Sequence, residues 1–333
     1  MLAYLKTYLT MVSTLISFIG VVNVAVDPLW YTQGNKLNPI NVPYNERLTK
    51  TNLLLHSDKQ KYDCLIFGSS RVTLLNSKAL KNNVCFNYSF SAGTAEEFVK
   101  YAEYVKEKGV NPQKIYVGID SYNFTFDKKT ALKNNVEVAK PKPAYQAYLF
   151  SLDTLQLSLK TIFRLNTEIR FYDQDFQGKV FDNAPKYKPE FIDKKTQEKC
   201  DFSRIAYYKQ IRHIFPNAKI IGYVPPISVW KLFNESYARG LLNCELEAIY
   251  EASKSYDITY DFSYPSEMTT VTYNTYDGSH YYPDVNNQIA QVLEGKLSSP
   301  GIRIHQYNLN EYQQFHKSKL KEYLYKQKQG KRW

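Results

Sequence analysis

The chain has 333 residues, of which 44% are hydrophobic and 23% are charged, which indicates a folded protein with a sizeable core. The net charge of +11 is concentrated at the C-terminus, where residues 317–332 contain seven Lys or Arg residues and one Glu. The remainder is mildly basic and lacks zinc-finger spacing, an RNP-type strand and a basic helix–turn–helix pattern, which argues against nucleic acid as a partner.

Residues 301–333 are predicted to form a basic, solvated C-terminal tail. An alternative role for this tail is attraction to anionic lipid headgroups. Four cysteines in so long a chain do not form a disulfide framework. Cys64 and Cys85 lie in apolar runs, which predicts buried free thiols. Cys200 and Cys244 each begin a helix-like segment, and a disulfide bond between them in an oxidising compartment stays open.

The sequence contains no C-x-x-C motif and no Cys/His cluster. We therefore expect no structural zinc site. No P-loop or Gly-rich phosphate motif is present either, which argues against a phosphate-transfer enzyme. We accordingly expect the chain to work without a metal or other cofactor.

The N-terminus contains a run of twenty uncharged residues, 7–26, between Lys6 and Asp27. A helix of about twenty residues spans the roughly 30 Å core of a bilayer. We predict a membrane anchor over residues 1–27, in the bilayer through residues 7–26. A cleaved signal peptide is the alternative. The flanking charges do not decide orientation, but a short N-terminal stub before a single anchor predicts a single-pass protein on the outer face of the cytoplasmic membrane.

A turn-rich connector over residues 28–60 precedes an alternation of strand-like and helix-like segments. Strands that alternate with helices predict a doubly wound, parallel α/β sheet over residues 61–300. In such sheets, ligands bind at the carboxyl ends of the strands. The strand-like segments are 63–68, 84–89, 114–120, 219–225 and 258–263, and the helix-like segments are 95–109 and 286–295.

Residues 121–199 interrupt this alternation after the third strand and contain a predicted helix over residues 145–163. An insertion at this edge of the sheet is positioned to cover an active site. Alternatively, its aromatic side chains fill a small core of their own. These aromatic residues are Tyr122, Phe124, Phe126, Phe171, Tyr172, Phe176 and Phe181.

The segment IFGSSR, residues 66–71, places two serines directly after an apolar strand. A serine at this point can project from the strand end into a cleft, with its backbone N–H towards a bound carbonyl group. Gly-Ser-Ser is also common in turns, so the motif alone does not identify a nucleophile.

The segment DGSH, residues 277–280, places a carboxylate three residues before a histidine. A carboxylate at this spacing can fix the tautomer of the imidazole and stabilise the imidazolium. Of the five histidines, only His280 has an acidic residue at this spacing. The segment follows the last predicted strand, so we expect it at the same sheet edge as Ser70. The predicted catalytic residues are therefore Ser70, Asp277 and His280.

Together these motifs resemble the SGNH (GDSL-like) hydrolase superfamily, in the right order over residues 61–297. The family's G-D-S block corresponds to Gly68-Ser69-Ser70, with Ser in place of Asp, and its D-x-x-H block corresponds to Asp277 and His280. The resemblance implies a flavodoxin-like, three-layer α/β fold. It also implies that Gly93, in the segment FNYSFSAGT, donates its N–H to the oxyanion together with the N–H of the nucleophile.

The family's third block, G-x-N, is replaced by Gly118-Ile119-Asp120. An ionised carboxylate cannot donate to an oxyanion, and a lost donor typically costs about 10²–10³ in rate. Either Asp120 is protonated, or Asn123 or Ser121 substitutes for it, or two backbone donors suffice. Asp120, Asn123 and Arg71 are candidates for oxyanion or substrate binding.

The G-S-S-R form, the N-terminal anchor, Asp27-Pro28 and the long insertion are similar to a membrane-anchored subgroup of this superfamily. That subgroup works beside membrane-bound O-acyltransferases on exported polysaccharides or teichoic acids. The resemblance implies acyl transfer to, or ester hydrolysis on, an envelope glycan through an acyl-Ser70 intermediate. Its implied partners are that glycan and a membrane-bound O-acyltransferase. The alternative is a non-catalytic scaffold for such an acyltransferase.

Overall fold

The computed structural model describes residues 1–56, 61–125, 142–165, 168–193, 195 and 199–330. Phe126, one of the aromatic residues of the predicted insertion, lies outside this part of the chain. The described helices are α1 Leu2–Val26, α2 Glu46–His56, α3 Ala95–Glu107, α4 Lys142–Leu149, α5 Leu152–Ile162, α6 Ile205–Ile214, α7 Val229–Lys231, α8 Leu242–Ser253, α9 Pro283–Leu293 and α10 Leu309–Lys328. The described strands are β1 Cys64–Phe67, β2 Cys85–Asn87, β3 Lys114–Gly118, β4 Arg170–Tyr172, β5 Gly178–Val180, β6 Lys219–Val224, β7 Ile258–Asp261 and β8 Ile302–Arg303.

The chain forms two compact units. The first combines Met1–Lys59 with Glu137–Phe181, and the second combines Gln60–Val136 with Asp182–Trp333. Part of the predicted insertion therefore belongs to the same unit as the N-terminal helix, and the remainder belongs to the unit that carries the large sheet.

The second unit is built on a six-stranded sheet in the order β2-β1-β3-β6-β7-β8. Strands β2 to β7 in this order are parallel, and β8 pairs antiparallel with β7. The predicted α/β class with a mostly parallel sheet is confirmed. The chain runs from β1 outwards to β2 and then returns past β1 to β3. Such a reversal opens a crevice between the carboxyl ends of β1 and β3, where doubly wound sheets bind ligands.

Helices cover both faces of this sheet because successive strand residues point to opposite sides. On one face, Ile289 of α9 packs in the same core as Ile66 of β1. On the other face, the ring of Phe67 lies 5.9 Å from that of Tyr88, which lies 5.5 Å from the ring of Tyr101 in α3. Helix α3 contacts α6, which in turn contacts α8. The second unit is therefore a three-layer arrangement.

The first unit begins with α1, which includes the predicted span of residues 7–26 and is long and apolar enough to cross a membrane. Helix α1 ends at Val26, and the next residue, Asp27, adopts the left-handed backbone conformation with φ 42°. The Asp27 carboxylate accepts hydrogen bonds from the backbone N–H groups of Tyr31, Thr32 and Gly34, at 2.8–3.0 Å. The Asp-Pro pair after the helix therefore fixes the turn that follows the predicted anchor.

The single helix predicted over residues 145–163 is wrong, because the structure contains two helices, α4 and α5. The break lies at Ser151, whose side chain accepts a hydrogen bond from the N–H of Thr154 and so caps α5. Two of the insertion's aromatic residues pack within the first unit, where the Trp30 ring lies 5.2 Å from Tyr172 and 5.0 Å from Phe176. These two rings therefore pack on a residue of the connector, and their core is shared between the insertion and residues 28–60.

The prediction of free thiols at Cys64 and Cys85 is wrong. These residues lie opposite each other on the neighbouring strands β1 and β2 and form a disulfide bond. Two separate apolar runs do not show which strands will be adjacent, so the pairing was not visible in the sequence. Cys200 and Cys244 form a second disulfide bond, which answers the question that their positions left open.

The prediction of a solvated C-terminal tail is also wrong for the described residues up to 330. Helix α10 buries Tyr312, His316, Leu320 and Tyr323 along one side. The His316 Nε2 atom lies 2.7 Å from Oδ2 of Asp261, at the end of β7, and the Tyr312 hydroxyl donates to the same oxygen. The other carboxylate oxygen accepts from Ser263 N and Oγ at 2.6 and 2.7 Å. This buried network fastens the helix to the sheet.

Replacing Asp261 with alanine is expected to lower the free energy of unfolding by about 3–5 kcal/mol, because it leaves the buried donors of His316 and Tyr312 without their acceptor. The matched control is Glu322→Ala, which removes exposed ion pairs to Lys319 and Lys326 on the same helix and should change stability far less. Urea denaturation of the detergent-solubilised chain measures both. Equal losses in the two variants would contradict a role for the buried network.

Candidate active site

The three predicted catalytic side chains lie in one continuous hydrogen-bonded row. The Ser70 Oγ atom lies 2.8 Å from Nε2 of His280, and Nδ1 of the same ring lies 2.6 Å from Oδ2 of Asp277. Ser70 follows β1, and the other two residues lie on the loop between β7 and α9. The row therefore joins a serine, a base and a carboxylate in the order that a serine-nucleophile mechanism requires.

The loop that carries His280 is held by its own hydrogen bonds. Asp277 Oδ1 accepts from the N–H groups of Ser279 and His280 at 2.9 and 2.8 Å. Thr275 Oγ1 donates to the His280 carbonyl at 2.7 Å and accepts from Gly278 N at 2.9 Å. Gly278 has φ 85°, and a Cβ atom there would lie 2.4 Å from the Tyr187 hydroxyl. The turn therefore requires glycine between the carboxylate and the imidazole.

The environment of Asp277 keeps this carboxylate ionised. Burial by itself raises its pKa, but the hydrogen bond and charge of His280, together with two backbone N–H groups, outweigh burial and hold the pKa below its usual range. The ring of Tyr276 stacks on that of His280, with 5.5 Å between centroids and a 4° angle between planes. An ionised partner and a stacked ring together fix the orientation of the imidazole.

The turn after β1 is shaped by close packing. A Cβ atom on Gly68 would lie 2.3 Å from the Val72 side chain, and one on Gly118 would lie 2.5 Å from the same side chain. Ser69 is fully buried, and its Oγ accepts from the N–H of Arg71 at 3.2 Å. The buried Ser69 therefore shapes the turn, while the half-buried Ser70 next to it contacts His280.

Gly93 does not fit the role that the resemblance implied. Its N–H donates to the carbonyl of Phe90 at 3.0 Å, so this donor is already used within its own turn. A Cβ atom on Gly93 would lie 3.0 Å from the carbonyl oxygen of Gly68, and Phe90 N donates to that same oxygen at 3.0 Å. The glycine therefore allows the turn to pack against the backbone just before Ser69 and Ser70.

Asp120 lies at the carboxyl end of β3, on the other side of the crevice from β1. It is fully buried, and its Oδ1 lies 3.6 Å from Nη1 of Arg71. Burial raises the pKa of Asp120 and outweighs the opposing effects of Arg71, Ser69 and His280. The structure therefore places a buried carboxyl group with a raised pKa beside the guanidinium group of Arg71.

Asn123 is buried one turn after Asp120, and its N–H donates to the Asp120 carbonyl at 3.0 Å. Its Oδ1 accepts from the N–H of Ala95 at 3.1 Å, which ties this segment to the start of α3. Its Nδ2 is a buried donor without a hydrogen-bond partner in the part of the chain that the structure describes. Asn123 thus positions the segment and retains one unused donor, while Ser121 is only half-buried.

Arg71 lies among several ionisable groups. Its guanidinium carbon lies 5.8 Å from the centre of the Tyr122 ring, and the Tyr122 hydroxyl donates to the carbonyl of Gly93. Its charge also acts on Glu245, which is 4% exposed in the first turn of α8. Burial raises the pKa of Glu245 to about 7, against the opposing effects of Ser236 and Arg71. Sequence reasoning missed Glu245, because nothing in a helix pattern shows that a glutamate is buried.

A cavity of about 500 Å³ lies beside the loop that carries His280. Its wall is joined to that loop by two side chains: Lys231 Nζ donates to Ser279 Oγ at 2.9 Å, and the Tyr187 hydroxyl lies 2.8 Å from Ser228 Oγ. The Ser228 N–H donates to the Gly278 carbonyl at 2.8 Å. The cavity is lined by Tyr187, Lys188, Pro189, Glu190, Ile192, Lys231, Asn234, Glu235 and Arg239.

A π-helical turn, Leu232–Tyr237, forms one side of this cavity. Asn234, within the turn, accepts from Ile192 N at 2.7 Å and donates to the Glu190 carbonyl at 2.8 Å. These two bonds hold an extended segment against the turn. Single π-helical turns occur frequently at functional sites. This cavity could not be predicted from the sequence, because its lining comes from an irregular segment and a distorted helix.

Replacing Glu245 with glutamine is expected to reduce the pH dependence of stability. Because its folded pKa of about 7 lies above the unfolded value near 4.3, the folded state retains a proton that the unfolded state releases. Stability should therefore fall by about 3 kcal/mol as pH rises from about 4 to 7, and the glutamine variant should lose this decline.

Urea denaturation at pH 5 and pH 8 measures the difference. The matched control is Glu251→Gln, a half-buried position on the same helix that pairs with Lys254 and should behave as the unaltered chain does. A glutamine variant at position 245 with an undiminished decline would contradict the assignment.

Among the residues that the structure describes, no group of three or more His, Cys, Asp or Glu side chains is arranged to hold a metal ion. The chemistry available at the site is that of the hydroxyl group of Ser70, the imidazole of His280 and the carboxyl groups of Asp277 and Asp120. No protein-family model matches the chain, and no curated protein matches it.

Proposed function

We propose that the chain is a serine-nucleophile acyl-transfer enzyme of the SGNH type. It transfers an acyl group to, or hydrolyses an ester on, an exported envelope glycan. The observation that carries the proposal is the row Ser70–His280–Asp277, with contacts of 2.8 and 2.6 Å. Ser70 and Asp120 follow the two strands that flank the reversal of the sheet, which is where doubly wound folds bind ligands.

The steps follow from the chemistry of these groups. Ser70 Oγ attacks the ester carbonyl carbon while His280 Nε2 takes the hydroxyl proton, and ionised Asp277 stabilises the imidazolium. The tetrahedral intermediate collapses, the alcohol leaves with the proton from His280, and the acyl group remains on Ser70. His280 then deprotonates the acceptor. Water as the acceptor gives hydrolysis, and a sugar hydroxyl gives transfer with Ser70 restored.

The oxyanion needs donors that are in place before the reaction. We assign this role to the N–H of Ser70 and to the carboxyl group of Asp120 in its protonated form, because burial raises its pKa and the N–H of Gly93 already donates to Phe90. The amide of Asn123 is a further donor in the same segment. A protonated Asp would then replace the Asn of the family's third block.

The SGNH assignment is supported by the order of the sheet strands and by the positions of the motifs after them. Ser70 follows the first strand of the sheet, Asp120 the third, and His280 lies after β7. A location on the outer face of the cytoplasmic membrane is supported by helix α1 and by two disulfide bonds, which persist in oxidising compartments.

The cavity beside the catalytic loop suits the acceptor. Its volume of about 500 Å³ falls within the range of small-ligand pockets. It combines the ring of Tyr187 with cations and carboxylates, including Lys231 and Glu235, which lie 3.5 Å apart. A lining of mixed charge and many hydrogen-bonding groups favours a hydroxyl-rich saccharide. The acyl group itself would come from a membrane-bound O-acyltransferase or from an ester on the glycan.

Ser70→Ala is expected to abolish covalent labelling by a membrane-impermeant fluorophosphonate, because the probe needs the activated hydroxyl group. In His280→Gln, labelling should fall at least tenfold, because the serine loses its base. Ser318→Ala and His213→Gln, both at exposed positions, are the matched controls and should be labelled normally. Mass spectrometry of the peptide that contains Ser70 measures the adduct.

Two comparisons separate the parts of the proposal. Labelling in intact cells that equals labelling in lysed cells supports the outer face, and labelling only after lysis would reverse the orientation. If Ser70→Ala retains full glycan acylation in cells, the chain is a scaffold for an acyltransferase and not the enzyme.

Asp120→Asn is expected to raise, or at least not lower, the hydrolysis of a small aryl ester. An amide of the same shape donates without first having to hold a proton, so the donor is present at every pH. Steady-state turnover by the purified chain in detergent measures the effect. A fall of tenfold or more with labelling of Ser70 retained, equivalent to about 1.4 kcal/mol, would mean that the carboxyl group has a different role.

A further inference from the structure

Helix α5 has the opposite polarity to a helix that packs on a protein core in water. Its most buried side chains carry hydroxyl groups: Thr154, Ser158 and Thr161. Several large apolar side chains of α5 and of the residues at its two ends are exposed, among them Leu152 and Phe163, at 68% and 62%. Each large apolar side chain left in water forgoes about 1.5–3 kcal/mol of burial energy. In a lipid environment the same arrangement carries no such cost, since small and polar residues form helix interfaces and apolar ones face the lipid.

The hydroxyl-bearing side of α5 packs against α1, the helix that is apolar enough to span a membrane. Ser158 Oγ donates to Asn23 Oδ1 at 2.9 Å. The Asn23 amide donates to the carbonyls of Leu149 and Ser151, at 2.8 and 3.1 Å. Each of these polar groups is thus satisfied at the helix–helix contact, as the interior of a bilayer demands.

Helix α1 has the same inverted pattern where it meets α5. Gly20 and Asn23 are buried there, and a Cβ atom on Gly20 would lie 2.6 Å from the Phe150 ring. The side of α1 away from this contact presents large apolar side chains to the outside. Those exposed side chains include Leu15, Ile16, Phe18 and Val21. Both α4 and α5 contact α1.

The position of the contact along α1 sets its depth. Gly20 and Asn23 lie seven and four residues before Asp27, the residue that caps the C-terminal end of α1. At 1.5 Å per residue, the contact is about 6–10 Å from the end of the helix. Helices that lie in the membrane interface reach about 5–10 Å into the headgroup and acyl boundary. With eleven residues, α5 is too short to cross a bilayer.

The charges on and after α5 agree with an interfacial position. Asp153 is in the first turn, and Lys160 and Arg164 are near the C-terminal end. Long basic side chains can reach the headgroups while their stems remain in an apolar layer. Other side chains of α4 and α5 pack on protein, where Tyr148 and Leu157 join a core around Leu48.

We propose that α5, together with Phe150 and Leu165 at its two ends, is a second membrane-embedded element. It lies in the interface against α1 and inserts its exposed apolar side chains among the phospholipid acyl chains. The first unit thus contacts the bilayer through α5 in addition to its transmembrane helix. The inference rests on the membrane location of α1 and is independent of the acyl-transfer chemistry.

The test uses photo-crosslinking of the full chain in phosphatidylcholine nanodiscs. Benzoylphenylalanine replaces Leu159 or Phe163 on α5, Ile16 on α1, or Tyr325 on α10, in four separate variants. Tyr325 is the matched control, an aromatic residue 63% exposed on another helix. We expect adducts with the mass of phosphatidylcholine at positions 159, 163 and 16, at least tenfold above those at position 325.

The outcomes distinguish the proposal from its foundation. Lipid adducts at position 16 without adducts at 159 and 163 would overturn the membrane-embedded position of α5 and leave the anchor in place. The absence of adducts at all three positions would overturn both. Crosslinks from positions 159 and 163 to protein would show that another surface covers this face, and would also overturn the proposal. Leu159 and Phe163 are both exposed, so a large apolar residue at either position does not have to fit into the core. Fluorophosphonate labelling of Ser70 reports independently on the fold of the other unit.

Discussion

The hydrogen bond between Ser70 and His280 joins residues that are 210 positions apart in the chain, and the site depends on it. It forms only if the turn after β1 and the loop after β7 reach the same edge of the sheet, which the parallel pairing of β1, β3, β6 and β7 ensures. The loop in turn fixes the imidazole through Asp277 and the stacked ring of Tyr276. A parallel sheet thus supplies the long-range placement, and a few local hydrogen bonds supply the orientation.

In the second unit, Ser70 and Asp120 follow strands β1 and β3, and the buried hydrogen-bond network of Asp261 lies at the end of β7. Asp261 has four hydrogen-bond donors around its carboxylate and fastens α10. In contrast, Asp120 is buried 3.6 Å from Nη1 of Arg71, and burial raises its pKa. Both are buried aspartates, but one is well solvated by protein donors and the other is poorly solvated. Poorly solvated carboxyl groups in a crevice are typical of functional sites.

The sequence was sufficient where the signal was local. The five parallel strands, the helices that follow two of them and the pairing of Asp277 with His280 were all visible as short patterns. The failures concern partners that come from distant parts of the chain. The Cys64–Cys85 bond needs two neighbouring strands, and the burial of α10 needs the end of β7. The engagement of the Gly93 N–H is a local exception, since it depends on the geometry of the turn that begins at Phe90. The apolar face of α5 was visible as composition, but its meaning depends on the contact with α1.

Arg71, Asp120 and Glu245 extend the site beyond its catalytic row. Burial raises the pKa of both carboxyl groups, and the guanidinium charge of Arg71 opposes that rise in each. One cation can balance one buried carboxylate, so the second carboxyl group is stabilised by holding its proton. The two carboxyl groups are therefore coupled through Arg71, and a change in the charge of either one alters the electrostatic balance beside the row of Ser70, His280 and Asp277.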